Sequence, residues 1–193
     1  MNAIEPQRPD LARELIVRAA QSTARRARRI RNQLDADAVQ LGQDRHADHA
    51  DAKVLRRVLA EFDWPDRCLV GVEASTAAWN LALHADDDPD LQRAATTLLK
   101  RAVQDRGASV THWAHLHDRT LANSGRLQDY GTQHLLTSAG VDLCPVREPD
   151  SLDQRRASVG LPPVAVALEA VRRRIASVRL AGGFATVPLA QVA

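Results

Sequence analysis

The stretch AWNLALHADDDPD, residues 78–90, puts an imidazole where an aliphatic side chain would be cheaper. Ala77, Leu81 and His84 follow one another at helical-turn spacing, so His84 closes an apolar stripe and a run of acids comes next. A histidine that titrates near neutrality can take up or release a proton. Asp86 falls at or just past a helix C-terminus, where the dipole disfavours an anion. Its place there suits orienting His84, capping the next turn or binding a cation. The blander reading makes His84 a satisfied core residue and leaves Asp87 and Asp88 to a helix cap and to solvent.

Two further constellations carry chemistry. In HWAHLHDR, residues 112–119, a helix makes His115, Asp118 and Arg119 neighbours on one face. A guanidinium beside a carboxylate can clamp a substrate carboxylate or polarise a carbonyl, and it can equally brace a neighbouring helix. In DYGTQH, residues 129–134, Tyr130 and Gln133 flank Gly131, which frees the backbone for a tight turn. Tyr130 there can donate to a substrate oxygen, or the turn can merely tie the loop to helices.

Metal chemistry fits less well. His112 and His115 are three apart, as are His46 and His49, whereas zinc sites on one helix favour i and i+4, and no HExxH occurs. Most histidines read as surface residues, and no metal ligand is assigned. No glycine-rich phosphate loop, dinucleotide fingerprint or GxSxG elbow is present, so no cofactor is expected.

The elements that must position these groups read as helices. Pro9 and Asp10 open a first helix running to about residue 34, with Leu11, Leu15, Ile16, Ala19 and Ala20 as its stripe. Its second half packs five arginines into residues 25–31. They suit RNA or an acidic partner, or simply a solvated helix end. No aromatic interleaves with them to stack on bases, which disfavours nucleic acid. A second helix starts from Asp51 and stops at Trp64-Pro65, and a third runs from about Ala74 to His84 or Ala85. Asp88-Pro89 is an N-cap followed by proline at the first helical position, and the helix it opens ends at Gly107. Ser109 caps a fifth helix that ends at Gly125. Residues 126–150 read as an ordered loop with one short helix at most. SLDQ, residues 151–154, has the form of a capping box, and a last helix follows GLPP.

Almost nothing reads as strand. The expected fold is all-α, a single compact bundle of about six or seven helices with one long ordered loop. Its expected organisation is an Arg-rich helix at 1–45, packed on or appended to a core at 46–182, and a tail at 183–193. The chain has 193 residues, 45% hydrophobic and only 3% aromatic, so alanine, leucine and valine must fill the core. A formal net charge of +2 does not by itself imply a polyanion partner. Two distant cysteines, Cys68 and Cys144, suggest neither disulfide nor zinc knuckle. The N-terminus lacks the form of a signal peptide and no stretch has membrane-span length, so a cytoplasmic location without membrane contact is expected.

Taken in order, DWPDRCLVG at 63–71, AAWNLALHADDDPDLQ at 77–92, LHDR at 116–119, YGTQ at 130–133 and DQRRASVGLPP at 153–163 resemble a bacterial family of domains of unknown function. The resemblance spans roughly residues 51–168. In that family the stretches read approximately as Gly-Trp-Pro, Ala-Trp with Gln-His-Ala-Asp, Asp-Arg, Tyr-Gly-Thr-Gln, and Arg-Arg ahead of Val-Gly-Leu-Pro. Carried over, it implies a shared polar set of His84, Asp86, Gln92, Asp118, Arg119, Tyr130, Gln133, Arg155 and Arg156, with Trp64 and Trp79 as aromatic matches. Leu83 stands where the family has Gln, and Asp63 where it has Gly.

These residues point to a small-molecule acid–base enzyme acting by hydrolysis, elimination, isomerisation or cyclisation on an amino-acid-like or peptide substrate. His84 is its expected base and Asp86 its orienting acid. Asp118, Arg119 and Tyr130 join them in the chemistry, while Trp79, Gln92, Gln133, Arg155 and Arg156 bind substrate. A homodimer is compatible with the composition. The alternatives are a binding module that uses the arginine helix, and a metal-dependent hydrolase.

Overall fold

Apolar residues at positions 11, 12, 15 and 19 bury one stripe of the first helix, α1 (Pro9–Arg31). The computed structural model describes residues 5–31, 38–137 and 140–181. The expected tail at 183–193 and the end of the first helix at residues 32–34 lie outside them. Among the described residues the chain forms seven α-helices and one two-stranded hairpin, so the fold is all-α. Its contacts divide it into two compact units, residues 1–116 and 117–193.

In the first unit α1 packs against α2 (Ala38–Phe62) and α3 (Gly71–Leu83), and α4 (Pro89–Gln104) packs against α2 and α3. Gln7 and Arg8 donate their backbone N–H groups to the carbonyls of Cys68 and Leu69, which fixes the start of α1 beside the start of α3. The core between them is Leu15, Leu55, Val58, Ala74, Ala78, Leu81 and Leu91. Trp64 is buried and donates its indole N–H to Ser75 Oγ at 3.2 Å, pinning the α2–α3 connection to α3.

Asp88 caps α4 as its sequence promises, its carboxylate accepting from Leu91 N at 3.1 Å. Ser109 Oγ likewise accepts from His112 N at 3.3 Å at the head of α5 (Val110–Asn123). The second helix departs from expectation, since α2 starts at Ala38 rather than near Asp51. Its first half is a polar run whose only long apolar side chain after Val39 is Leu41, so periodicity gives no sign of it. Carboxylates of that half meet arginines of α1 instead: Asp44 takes Arg28, Asp48 takes Arg25 and Arg29, and Asp51 takes Arg18 and Arg25. Arg25, Arg28 and Arg29 are therefore paired within the chain rather than simply solvated.

In the second unit, the stretch expected to be loop contains a hairpin, β1 (His134–Thr137) and β2 (Gly140–Leu143). The strands run antiparallel, His134 opposite Leu143 and Thr137 opposite Gly140. Four-residue strands are too short to show an alternating pattern. A short 3-10 turn, Pro149–Ser151, leads into α6 (Leu152–Ser158), and α7 (Val164–Ala181) packs on β2 and α6. The capping box does not form. Ser151 Oγ donates to Glu148 O at 3.2 Å and accepts from Arg155 Nη1 at 2.6 Å, so the hydroxyl is engaged before it can serve the helix.

No helix among the described residues is long and apolar enough to cross a membrane.

Candidate functional site

The polar residues marked in the sequence fall into two groups, one in each unit. In the first unit, His84 is the C-cap of α3 and is half-buried, while Asp86 is exposed in the turn that follows. Gln92, on α4, is 1% exposed, and its amide Nε2 donates to the carbonyls of Ala82 and Leu83 at 3.3 Å each and to Asp86 Oδ1 at 3.4 Å. A buried amide thus satisfies the last carbonyls of α3 and ties down the acid two residues after His84. Trp79, one turn before Leu83, stacks on His112 with centroids 4.2 Å apart and planes 9° apart, and meets His115 edge-on. Its indole N–H is buried with no acceptor among the described residues. Burial pushes the His112 imidazole down from its ordinary value, so this ring favours the neutral form.

In the second unit, Asp118 is 0% exposed at the third turn of α5 and holds a loop. Its carboxylate accepts from the backbone N–H groups of Asp129, Tyr130 and Thr132 and from the Thr132 hydroxyl, at 2.9 to 3.2 Å. Burial pushes its pKa up, against those hydrogen bonds, which favour the anion. The geometry gives Asp118 the work of shaping residues 129–132, where the turn residue Gly131 has φ +61°.

The neighbouring polar residues serve the same loop. Arg119 donates to Gln133 Oε1 at 3.2 Å. Arg156, 2% exposed, donates to the carbonyls of Tyr130, Gly131 and Pro162 at 2.6, 3.0 and 2.7 Å. Arg155 spans the carbonyls of Asp129 and Glu148 at 2.8 and 3.2 Å and also reaches that of Arg147. Gln128, not singled out in the sequence, is fully buried and bridges Gln133 to Cys144. Arg155 and Arg156, expected on substrate, spend these donors on backbone oxygens.

What this scaffold presents is a pair that helical spacing did not reveal. His117 Nε2 lies 2.8 Å from Asp129 Oδ2, and Arg147 Nε lies 2.8 Å from the other carboxylate oxygen. The His117 and Asp129 side chains are 25% and 26% exposed, open enough for a ligand and enclosed enough to be held. Hydrogen bonds from His117 and Arg147 outweigh partial burial, which alone would raise it, and hold the Asp129 carboxyl below the usual aspartate range. The Tyr130 ring stands edge-on to His117 with centroids 6.1 Å apart. Burial first, then the carboxylates of Asp129 and Asp118, pushes the Tyr130 phenol up, so at neutral pH it is a protonated donor.

In sequence His117 stood out only as one of the closely spaced histidines of HWAHLHDR, weighed as metal ligands, in a helix ending beside DYGTQH. Its partner comes from the loop, 12 residues on, where no i+3 or i+4 rule reaches. No group of three His, Cys, Asp or Glu among the described residues is arranged to hold a metal ion.

A protein-family model described as a family of unknown function, DUF6624, matches residues 9–174. No curated protein and no solved structure matches the chain.

Proposed function

From the premise that the chain belongs to DUF6624, a family of unknown function, we propose that it is a small-molecule acid–base enzyme. The single observation that carries this reading is the His117–Asp129 contact of 2.8 Å, in a partly open setting on a loop fixed by buried charged and amide groups. A carboxylate on one ring nitrogen selects a tautomer, aims the ring and stabilises the imidazolium that proton transfer creates. Arg147 and Asp118 keep that carboxylate and its backbone in place. Tyr130 supplies a neutral donor for an oxygen on which negative charge develops.

Hydrolysis, elimination, isomerisation or cyclisation of an amino-acid-like or peptide substrate fits such a base. His84 and Asp86 are the candidate base and acid of the first unit, and Gln92 restrains that acid. The reading as a binding module through the arginine helix is weakened, because Arg18, Arg25, Arg28 and Arg29 are paired with acids of the same chain.

The test is turnover of a panel of amino-acid esters, amides, lactones and short peptides by the wild type, His117→Gln, Asp129→Asn and His84→Gln. We expect His117→Gln to lower kcat by about 10² to 10⁴, Asp129→Asn to lower it less, and both to stay folded. Full turnover by His117→Gln with loss in His84→Gln moves the base to the first unit. Wild-type protein that turns over no member of the panel contradicts the enzymatic reading.

A further inference from the structure

Arg26, half-buried, stands at the end of the buried stripe of α1. Leu11, Leu15, Ala19 and Ser22 precede it at turn spacing and are all buried, so its position calls for an apolar side chain. A charge there carries a desolvation cost that an opposite charge normally offsets. The other arginines of the helix with described side chains and polar contacts, Arg18, Arg25, Arg28 and Arg29, each lie within ion-pair distance of a carboxylate of Glu14, Asp44, Asp48 or Asp51. Among the described residues Arg26 does not. The oxygens its guanidinium meets there are neutral, Ser22 Oγ at 3.1 Å, Thr23 Oγ1 at 3.4 Å and Asn80 Oδ1 at 3.1 Å.

Burial pushes its pKa down to about 10, with Asp48 and Asp86 acting against that shift from beyond contact and Arg29 and Arg25 adding to it. The last turn of α3 offers partial compensation through its dipole, since Asn80 lies one turn before the C-cap. Asn80 and His84, both half-buried, bring polar side chains to that end of α3 beside the buried Leu81 and Leu83. Arg26 and Asn80 thus meet where the two helices face each other, and no carboxylate among the described residues lies within ion-pair distance of this cation.

We propose that Arg26, Thr23 and Asn80 form a binding site for the carboxylate of a small organic acid. The guanidinium supplies charge and direction. Asn80, whose carbonyl is held by Arg26, offers its amide N–H groups to the anion, and the Thr23 hydroxyl, on the same Arg26 nitrogen, donates to it as well. A monoanion suits the site better than phosphate. Arg26 is the site's single cation, and the fields of Asp48 and Asp86 penalise a second negative charge. The site lies wholly in the first unit and stands whether or not His117 is a base.

The experiment is a titration of the full chain with acetate, N-acetylglycine and inorganic phosphate at constant ionic strength. Thermal unfolding and the Asn80 side-chain amide resonance are the readouts, in the wild type, Arg26→Met and Arg26→Lys. The carboxylates are expected to raise Tm and shift the Asn80 amide saturably in the wild type, at least tenfold more tightly than phosphate. Arg26→Met is expected to lose that response while its ligand-free Tm equals or exceeds that of the wild type, because a half-buried cation with no ion-pair partner among the described residues has gone. Arg26→Lys is expected to bind about tenfold more weakly, having the charge without the fork. A wild type that shows no saturable response, or an Arg26→Lys protein that binds as tightly as the wild type, overturns the site. Phosphate binding more tightly than the carboxylates overturns its assignment to monocarboxylates.

Discussion

At the scale of single residues, the difference between a group that works on its own chain and one left for a ligand is decided by what its polar atoms touch. Asp118, Arg155 and Arg156 were legible as important, since charged side chains at such positions must either be exposed or be paired. Their partners were not legible, because backbone carbonyls and N–H groups of a distant loop have no sequence signature. His117 shows the converse, for its sequence neighbours His115 and Asp118 drew attention while its partner Asp129 lay in the loop. The Asp129 carboxyl allows a pH test. Its folded pKa is depressed, so its contribution to stability is present above the ordinary aspartate pKa and is lost as pH falls through the folded value. The difference in unfolding free energy between wild type and Asp129→Asn should close as pH falls below about 5. A difference that persists through that acid range contradicts the assignment.

At the scale of elements, boundaries marked by a chemical device were readable, and those set by partners were not. Asp88-Pro89 opens α4 and Ser109 opens α5, each by meeting donors that a helix end leaves unpaired. The first half of α2 is held by arginines of another helix, and SLDQ lost its serine to Arg155 and Glu148. The end of α2 carries a prediction of its own. Asp63 follows the last residue of α2 with φ +56°, a left-handed conformation that costs a side chain roughly 1 kcal/mol and costs glycine little. The resemblance places glycine at that position in relatives. Asp63→Gly should therefore raise the unfolding free energy by about 1 kcal/mol in urea denaturation. A loss of stability would mean that the aspartate side chain does work that its geometry does not show.

At the scale of the whole molecule, the helical class and the family were legible because both rest on patterns distributed over most of the chain. The candidate site was less so, since it depends on where a few of many polar residues are brought by the fold. Buried charge is costly, and this chain places Asp118, Arg119 and Arg156 inside the unit that carries His117. On the present account that cost is met to hold one imidazole in a fixed pose. The most direct measurement is the ring ¹⁵N spectrum of His117 at a pH where the imidazole is neutral, in wild type and Asp129→Asn. The account predicts a wild-type ring locked with its proton on Nε2 towards Asp129, and a tautomer mixture in Asp129→Asn. A wild-type ring that already exchanges freely between tautomers, or one unchanged by Asp129→Asn, would contradict an oriented base.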